Sequence, residues 1–284
     1  MSLVRGHQGI VYYAAQGGEG TAADPTLPVG YYENFRKNEV EGVEGVRPAG
    51  SRRLVEIQEG MWGVEWGHDI MKMQSAEAAK TYLGYAFAAG APPTLTWLTV
   101  GYGDTRAQWA IQDCKIDTLD ISLDNEGWVT GAVSGFGGKI SPAVLAEPQT
   151  YIDGPGLGVN EAVWSLFELG SLRISYANNL NMHPVIAGPT TTRDPARKWD
   201  YMPIGPEDVS GTMGLYNVSG DDMQQPCLTE HDVDLTITEG CDPYSTWVLN
   251  IYGMKYTGEQ MTIPGADADI EWEVPFLAKY MTLT

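Results

Sequence analysis

Along most of this chain apolar and polar residues alternate with the two-residue period of β-strands. Leu119, Ile121 and Leu123 stand against Asp120, Ser122 and Asp124, so Lys115 to Asp124 predicts a strand with one buried and one wet face. After a turn at Asn125-Glu126-Gly127, the run Trp128 to Phe136 returns as its hairpin partner. Val233, Leu235 and Ile237 alternate with Asp232, Asp234, Thr236 and Thr238, and Leu172, Ile174 and Tyr176 follow the same period. The clearest case lies near the C-terminus. There Ala268, Ile270, Trp272 and Val274 alternate with Asp267, Asp269, Glu271 and Glu273, predicting a strand with one wholly acidic face.

One segment departs from this period. Ser75 can cap a helix, Ala76 to Ala89 is rich in helix formers, and Gly90 with Pro92-Pro93 stops it, so a helix is predicted over about 75–89. Its stripe of Ala79, Leu83 and Ala86, flanked by Tyr82 and Tyr85, should pack on a sheet. A weaker helical candidate spans Asn160 to Glu168. Two long segments marked by Gly and Pro, Tyr31 to Ser51 and Asn181 to Pro206, are expected to be loops reaching a neighbouring molecule.

The two halves present the same order of parts. Met61 to Trp66, the helix, Thr94 to Val100, Trp109-Ala110-Ile111 and a hairpin closing at Lys139 are matched by a second series. Its members are Val209 to Leu215, Asp221 to Glu230, Asp232 to Glu239, Trp247-Val248-Leu249 and a hairpin closing at Lys279. The two tryptophans are 138 residues apart and the two lysines 140, while Gly9 to Tyr13 is set against Gly170 to Tyr176. The expected organisation is mainly β: a first domain over 1–140, a linker over 141–158 and a second domain over 159–284. Coincidence of two generic β patterns is the alternative.

The 284 residues are ample for a hydrophobic core, and 34 glycines with 17 prolines imply many turns. A net charge of −20 disfavours binding to nucleic acid phosphate or anionic lipid, and in itself keeps a concentrated protein in solution. No run of 18 apolar residues occurs, and Met1 to His7 lacks the layout of a signal peptide, so a soluble product of a cytoplasm is expected. Cys114, Cys227 and Cys241 form neither a disulfide framework nor a zinc pattern.

Catalytic motifs are not found. The histidines His7, His68, His183 and His231 show no ligand spacing, and no GxSxG occurs. Gly154 to Gly158 misses the dinucleotide spacing, and Gly135 to Ile140 misses the phosphate-loop spacing. Acid pairs such as Asp113 with Asp117 are too easily drawn from so many carboxylates to indicate glycoside chemistry. No enzyme activity, cofactor or metal is expected. Trp62, Trp66, Trp97, Trp109, Trp128, Trp247 and Trp272 lie in strand-like runs where burial in a core or interface explains them.

The order of strand, helix, strand, the segment Trp109 to Ile116 and a hairpin ending in Gly138-Lys139 resembles the tail tube proteins of long-tailed viruses of bacteria and archaea. The serine-rich strand Ser171 to Ala177 ending in Asn178-Asn179-Leu180, followed by Val209-Ser210-Gly211, adds to the likeness, which is diffuse and covers roughly Gly50 to Lys279. The resemblance implies tandem β-sandwich or barrel domains with a flanking helix and long inter-ring loops. It further implies rings that stack into a hollow virion tail tube, assembled in the host cytoplasm with other tail proteins and passing DNA without specific binding. Two domains favour a homotrimer of pseudo-sixfold symmetry. Pro226 interrupts Asp221 to Glu230, so a homohexamer is the alternative. Candidate lumen-facing acids are Asp120, Asp124, Asp267, Asp269, Glu271 and Glu273. Candidate inter-ring contacts are Arg36, Lys37, Glu39, Arg52, Arg53, Arg193, Arg197 and Lys198. A secreted carbohydrate-binding or glycan-cleaving β-sandwich is the rival reading, and a secretion-machine tube is indistinguishable by sequence.

Overall fold

The computed structural model describes residues 10–28, 31–46, 56–72, 76–103, 107–124, 129–143, 163–164, 167–180, 204–216, 230–239, 242–258, 260–262 and 271–284. Within them the protein is mainly β, with antiparallel strands joined in one large sheet and very little helix. The first half contains β1 (Ile10–Ala15), β2 (Leu27–Pro28), β3 (Tyr31–Val46), β4 (Glu56–Lys72), α1 (Ala76–Gly84), β5 (Leu98–Gly103), β6 (Gln108–Asp124), β7 (Thr130–Gly137) and β8 (Lys139–Pro142). The second contains β9 (Val163–Trp164), β10 (Phe167–Ala177), β11 (Asp208–Tyr216), β12 (His231–Glu239), β13 (Asp242–Tyr256), β14 (Gln260–Thr262), β15 (Glu271–Ala278) and β16 (Tyr280–Leu283).

A row of eight strands organises the molecule: β3-β4-β7-β6-β10-β11-β15-β14. Its buried face packs against a second layer made by β1, β5 and the start of β6 in the first half. In the second half the start of β13 and β16 supply that layer, and one continuous core results. β6 belongs to both layers, pairing with β5 and β8 before its bend and with β7 and β10 after it. The bend lies at Asp113, whose φ of 56° is left-handed. β13 bends in the same way at Gly253, with φ 60°.

The strand register of the second half repeats that of the first at several points among the described residues. Trp66 opposite Gly135 is matched by Gly211 opposite Phe276, and His68 opposite Val133 by Met213 opposite Val274. Leu98 opposite Cys114 is matched by His231 opposite Met254, each next to a register shift. Ile111 opposite Ile140 is matched by Ile251 opposite Met281. Even β14 fits, because Ile121 opposite Gly131 is matched by Met261 opposite Trp272.

This register corrects several expectations. Trp109 pairs with Pro142 as Leu249 pairs with Leu283, so Trp109 and Trp247 are not equivalent. Lys139 faces Gln112 where Tyr280 faces Tyr252, so the two lysines are one position out of step. β10 pairs with β11 as β3 pairs with β4, which makes β3 the counterpart of β10, not Gly9 to Tyr13. Tyr31 to Val46, expected as a loop, is a long strand in a hairpin with β4. Val40, Val43 and Val46 recur every three residues with Glu and Gly between them, so the segment shows no two-residue alternation that would predict a strand. Val163–Trp164 and the start of β10 are strand where a helix was expected, because a sheet edge supplies partners that a short helix would lack. The helix ends at Gly84 rather than near residue 89, and β5 starts at Leu98 rather than Thr94. Ser141 and Pro142, placed in the linker, belong to β8. Asn181 to Tyr201, within the second expected loop, lies outside the described residues, as does Asp221 to Thr229.

α1 buries Tyr82 and Leu83, Ala86 is buried just beyond its end, and the helix lies beside β13 and β16 of the other half. A second tie between the halves is Asn178, which is 1% exposed. Its Nδ2 donates to the carbonyls of Ala86 (2.8 Å) and Ile116 (3.0 Å), and its Oδ1 accepts from the Tyr176 hydroxyl (3.1 Å). Asn179 takes φ 48° and donates to Pro206 O and Asp208, while the Leu180 amide donates to Asp117 at 2.8 Å. The Asn-Asn-Leu motif is therefore a polar knot at the end of β10, buried at Asn178 and exposed at Asn179.

Candidate functional site

The eight-strand row has one apolar and one polar face, because successive side chains of a strand point to opposite sides. Val64, Trp66, Ile70, Val133, Leu119, Ile121, Leu123, Leu172, Ile174, Met213 and Val274 face the core. Arg36, Asn38, Glu65, Asp69, Ser134, Asp120, Ser122, Arg173, Ser175, Thr212 and Glu273 occupy the other parity. These short polar side chains bond across the strands. Asn38 donates to Glu65 (3.0 Å), Arg173 to Ser122 (2.6 Å) and Ser175 to Asp120 (2.6 Å), and the Thr118 and Ser134 hydroxyls meet at 2.6 Å.

Asp120 and Glu273 are exposed on this face, three strands and one strand respectively from the nearer end of the row. Asp124 and Glu271 hold the same parity by backbone register, opposite Ser171 and Tyr216. Asp267 and Asp269 lie outside the described residues, as do Arg52, Arg53, Arg193, Arg197 and Lys198. The face is not wholly acidic, since Arg36 and Arg173 occupy matching positions in β3 and β10. Arg36 is mostly exposed and approaches Asp69 at 4.0 Å. Lys37 and Glu39 have the opposite parity, pair with each other, and place the ammonium 5.6 Å from the centre of the Tyr102 ring.

Burial is the largest cause of the shift at each of the titratable groups beneath the sheet. His68 is fully buried, its Nε2 is 2.6 Å from the Tyr82 hydroxyl, and burial pushes its pKa down to about 4. Burial raises the Asp117 carboxyl, although the Leu180 amide opposes this, and burial likewise raises Glu207, which accepts from the Met281 amide. Burial lowers the Lys115 ammonium, which sits 4.0 Å over the Trp97 ring. Among the described residues no three His, Cys, Asp or Glu side chains group as metal ligands, and no helix is long and apolar enough to cross a membrane. A cavity of about 350 Å³ opens beside Arg36, Lys37, Glu65, Trp66 and Phe136.

His68 yields a pH prediction. The folded state keeps it neutral down to about 4 while the unfolded chain protonates near 6.5, so its contribution is complete above 6.5 and is lost as pH falls towards 4. The full loss is on the order of 3 kcal/mol. Urea denaturation at pH 7 and pH 4.5 should show a smaller acid penalty for His68→Gln than for the parent.

Tryptophan burial varies: Trp66 is buried, Trp97 and Trp272 are half-buried, and Trp109 is 40% exposed. Arg173 and the ends of the row that are open among the described residues were missed by sequence reasoning, which named Arg36 only as a candidate inter-ring contact. Only the register of β3 identifies them. The architecture is that of a mainly β protein with an extended two-faced sheet. No family model matches the chain, and no curated protein matches its sequence.

Proposed function

We propose that this chain is a structural subunit of a virion tail tube, built of two tandem β domains, whose copies close into rings that stack around a DNA passage. The observation that carries the reading is the repeated row, in which four strands of each half lie side by side and the polar face runs unbroken across the β6–β10 joint. Such a row, continued through further copies, closes into a barrel with the core outside and the polar face lining the lumen. Glu65, Asp69, Asp120 and Glu273 then outnumber Arg36 and Arg173 on the wall, so phosphate is repelled on balance. Arg36 belongs with this wall rather than with an inter-ring contact.

Geometry favours three copies. With strands about 4.8 Å apart and tilted by roughly 40°, about 24 strands make a backbone barrel some 48 Å across. Side chains reduce that by about 10 Å, leaving clearance around a duplex about 20 Å wide. Two copies leave only about 22 Å, which grips the duplex. Electron microscopy of concentrated purified protein tests the reading: rings or tubes of threefold or pseudo-sixfold symmetry are expected. A protein that stays monomeric at every concentration overturns it.

A further inference from the structure

The row ends in two strands with an open edge. β3 pairs only with β4, and β14 only with β15, among the described residues. The repeat identifies what these edges correspond to. β3 is the counterpart of β10, because Arg36 opposite Gly67 and Lys37 opposite Trp66 match Arg173 opposite Thr212 and Ile174 opposite Gly211. β14 is the counterpart of the end of β6, because Gln260, Met261 and Thr262 oppose β15 as Asp120, Ile121 and Ser122 oppose β7. Within the chain, β10 and the end of β6 are paired to each other.

We propose that β3 of one copy pairs antiparallel with β14 of the next, with Arg36 opposite Thr262, Lys37 opposite Met261 and Asn38 opposite Gln260. This inference rests on the ring reading and names its joint. The register is that of the internal joint, where Arg173, Ile174 and Ser175 oppose Ser122, Ile121 and Asp120. In the internal joint Arg173 donates to the Ser122 hydroxyl and Ser175 to the Asp120 carboxylate. By residue type the proposed joint sets Arg36 against a threonine and Asn38 against a glutamine, so all four outward positions are polar.

The contact is heterologous, since the two edges are different surfaces, and it therefore generates a ring, where its rotation closes, instead of a two-fold dimer. At the core-facing position the buried Ile174 of the internal joint is replaced by the exposed, charged Lys37. Less apolar surface is then available on the β3 side, so the joint between copies is weaker than the covalently linked one. The outer edge of β12 is a different case. Its counterpart β5 is covered by β1 of the same chain, so the repeat supplies no partner from another copy.

Paired cysteines test the register, in a chain carrying Cys227→Ser and Cys241→Ser. On oxidation, Asn38→Cys/Gln260→Cys should give a ladder on non-reducing gels that ends in a closed species. Each single variant should stay uncrosslinked, and a mixture of the two should give only dimers. Asn38→Cys/Thr262→Cys, displaced by two residues, should crosslink roughly fivefold less. Rings in the microscope with no crosslink, or with preference for the displaced pair, overturn this register and leave the ring reading standing. Crosslinking by a single variant indicates a two-fold contact and overturns the joint. Absence of any assembly removes both.

Discussion

On the proposed tail-tube function, tubes assembled from a variant carrying Asp120→Lys and Glu273→Lys will form at normal length but release DNA at least tenfold more slowly than the parent. Both side chains are exposed on the polar face, so the substitutions leave the core untouched. Each copy changes by four charges, and a ring of three multiplies the change along every turn of the duplex. Lysines on a wall attract phosphate with release of counterions, so the retarding effect should shrink steeply as salt is raised. That salt dependence separates an electrostatic wall from a damaged tube, whose slow release would not recover. Ejection kinetics measured at low and high salt decide the matter. Unchanged release at low salt would mean that this face does not line the passage.

The second large effect concerns stability. Gly135→Ala will destabilise the chain by about 3 kcal/mol or more, whereas the chemically identical Gly84→Ala will be neutral or mildly stabilising. A Cβ on Gly135 would lie 2.1 Å from the Lys115 carbonyl oxygen and 3.0 Å from the Trp66 ring, and neither backbone nor buried indole can yield cheaply. At Gly84, the last residue of α1, nothing lies within 4 Å, so alanine only narrows the unfolded ensemble. Urea midpoints of the two variants measure the contrast, and equal midpoints would contradict the packing described for β4 and β7.

That same glycine explains why the repeat is faint in the sequence. In the first half an aromatic on β4, Trp66, covers a glycine on β7; in the second half an aromatic on β15, Phe276, covers a glycine on β11. The cross-strand volume is preserved while the residue types are exchanged between strands. A comparison by residue identity therefore sees a mismatch at both positions. The bends behave alike, with Asp113 and Gly253 sharing a left-handed φ and little else.

Sequence alone determined the local elements. Alternation fixed the faces of β6, β10 and β15, because a two-residue period admits only one buried side. Helix formers, with Gly90 and the prolines beyond it, placed α1, although its end came early. Tertiary structure decided what alternation cannot encode: which strand lies beside which. It turned Tyr31 to Val46 from an expected loop into the outer strand of the row, set the halves in a register that the tryptophans had misaligned, and brought Arg36 and Arg173 onto the face shared with Asp120. Strand neighbours are chosen by long-range hydrogen bonding and packing, whose partners stand far apart in the chain, and no local pattern carries that information.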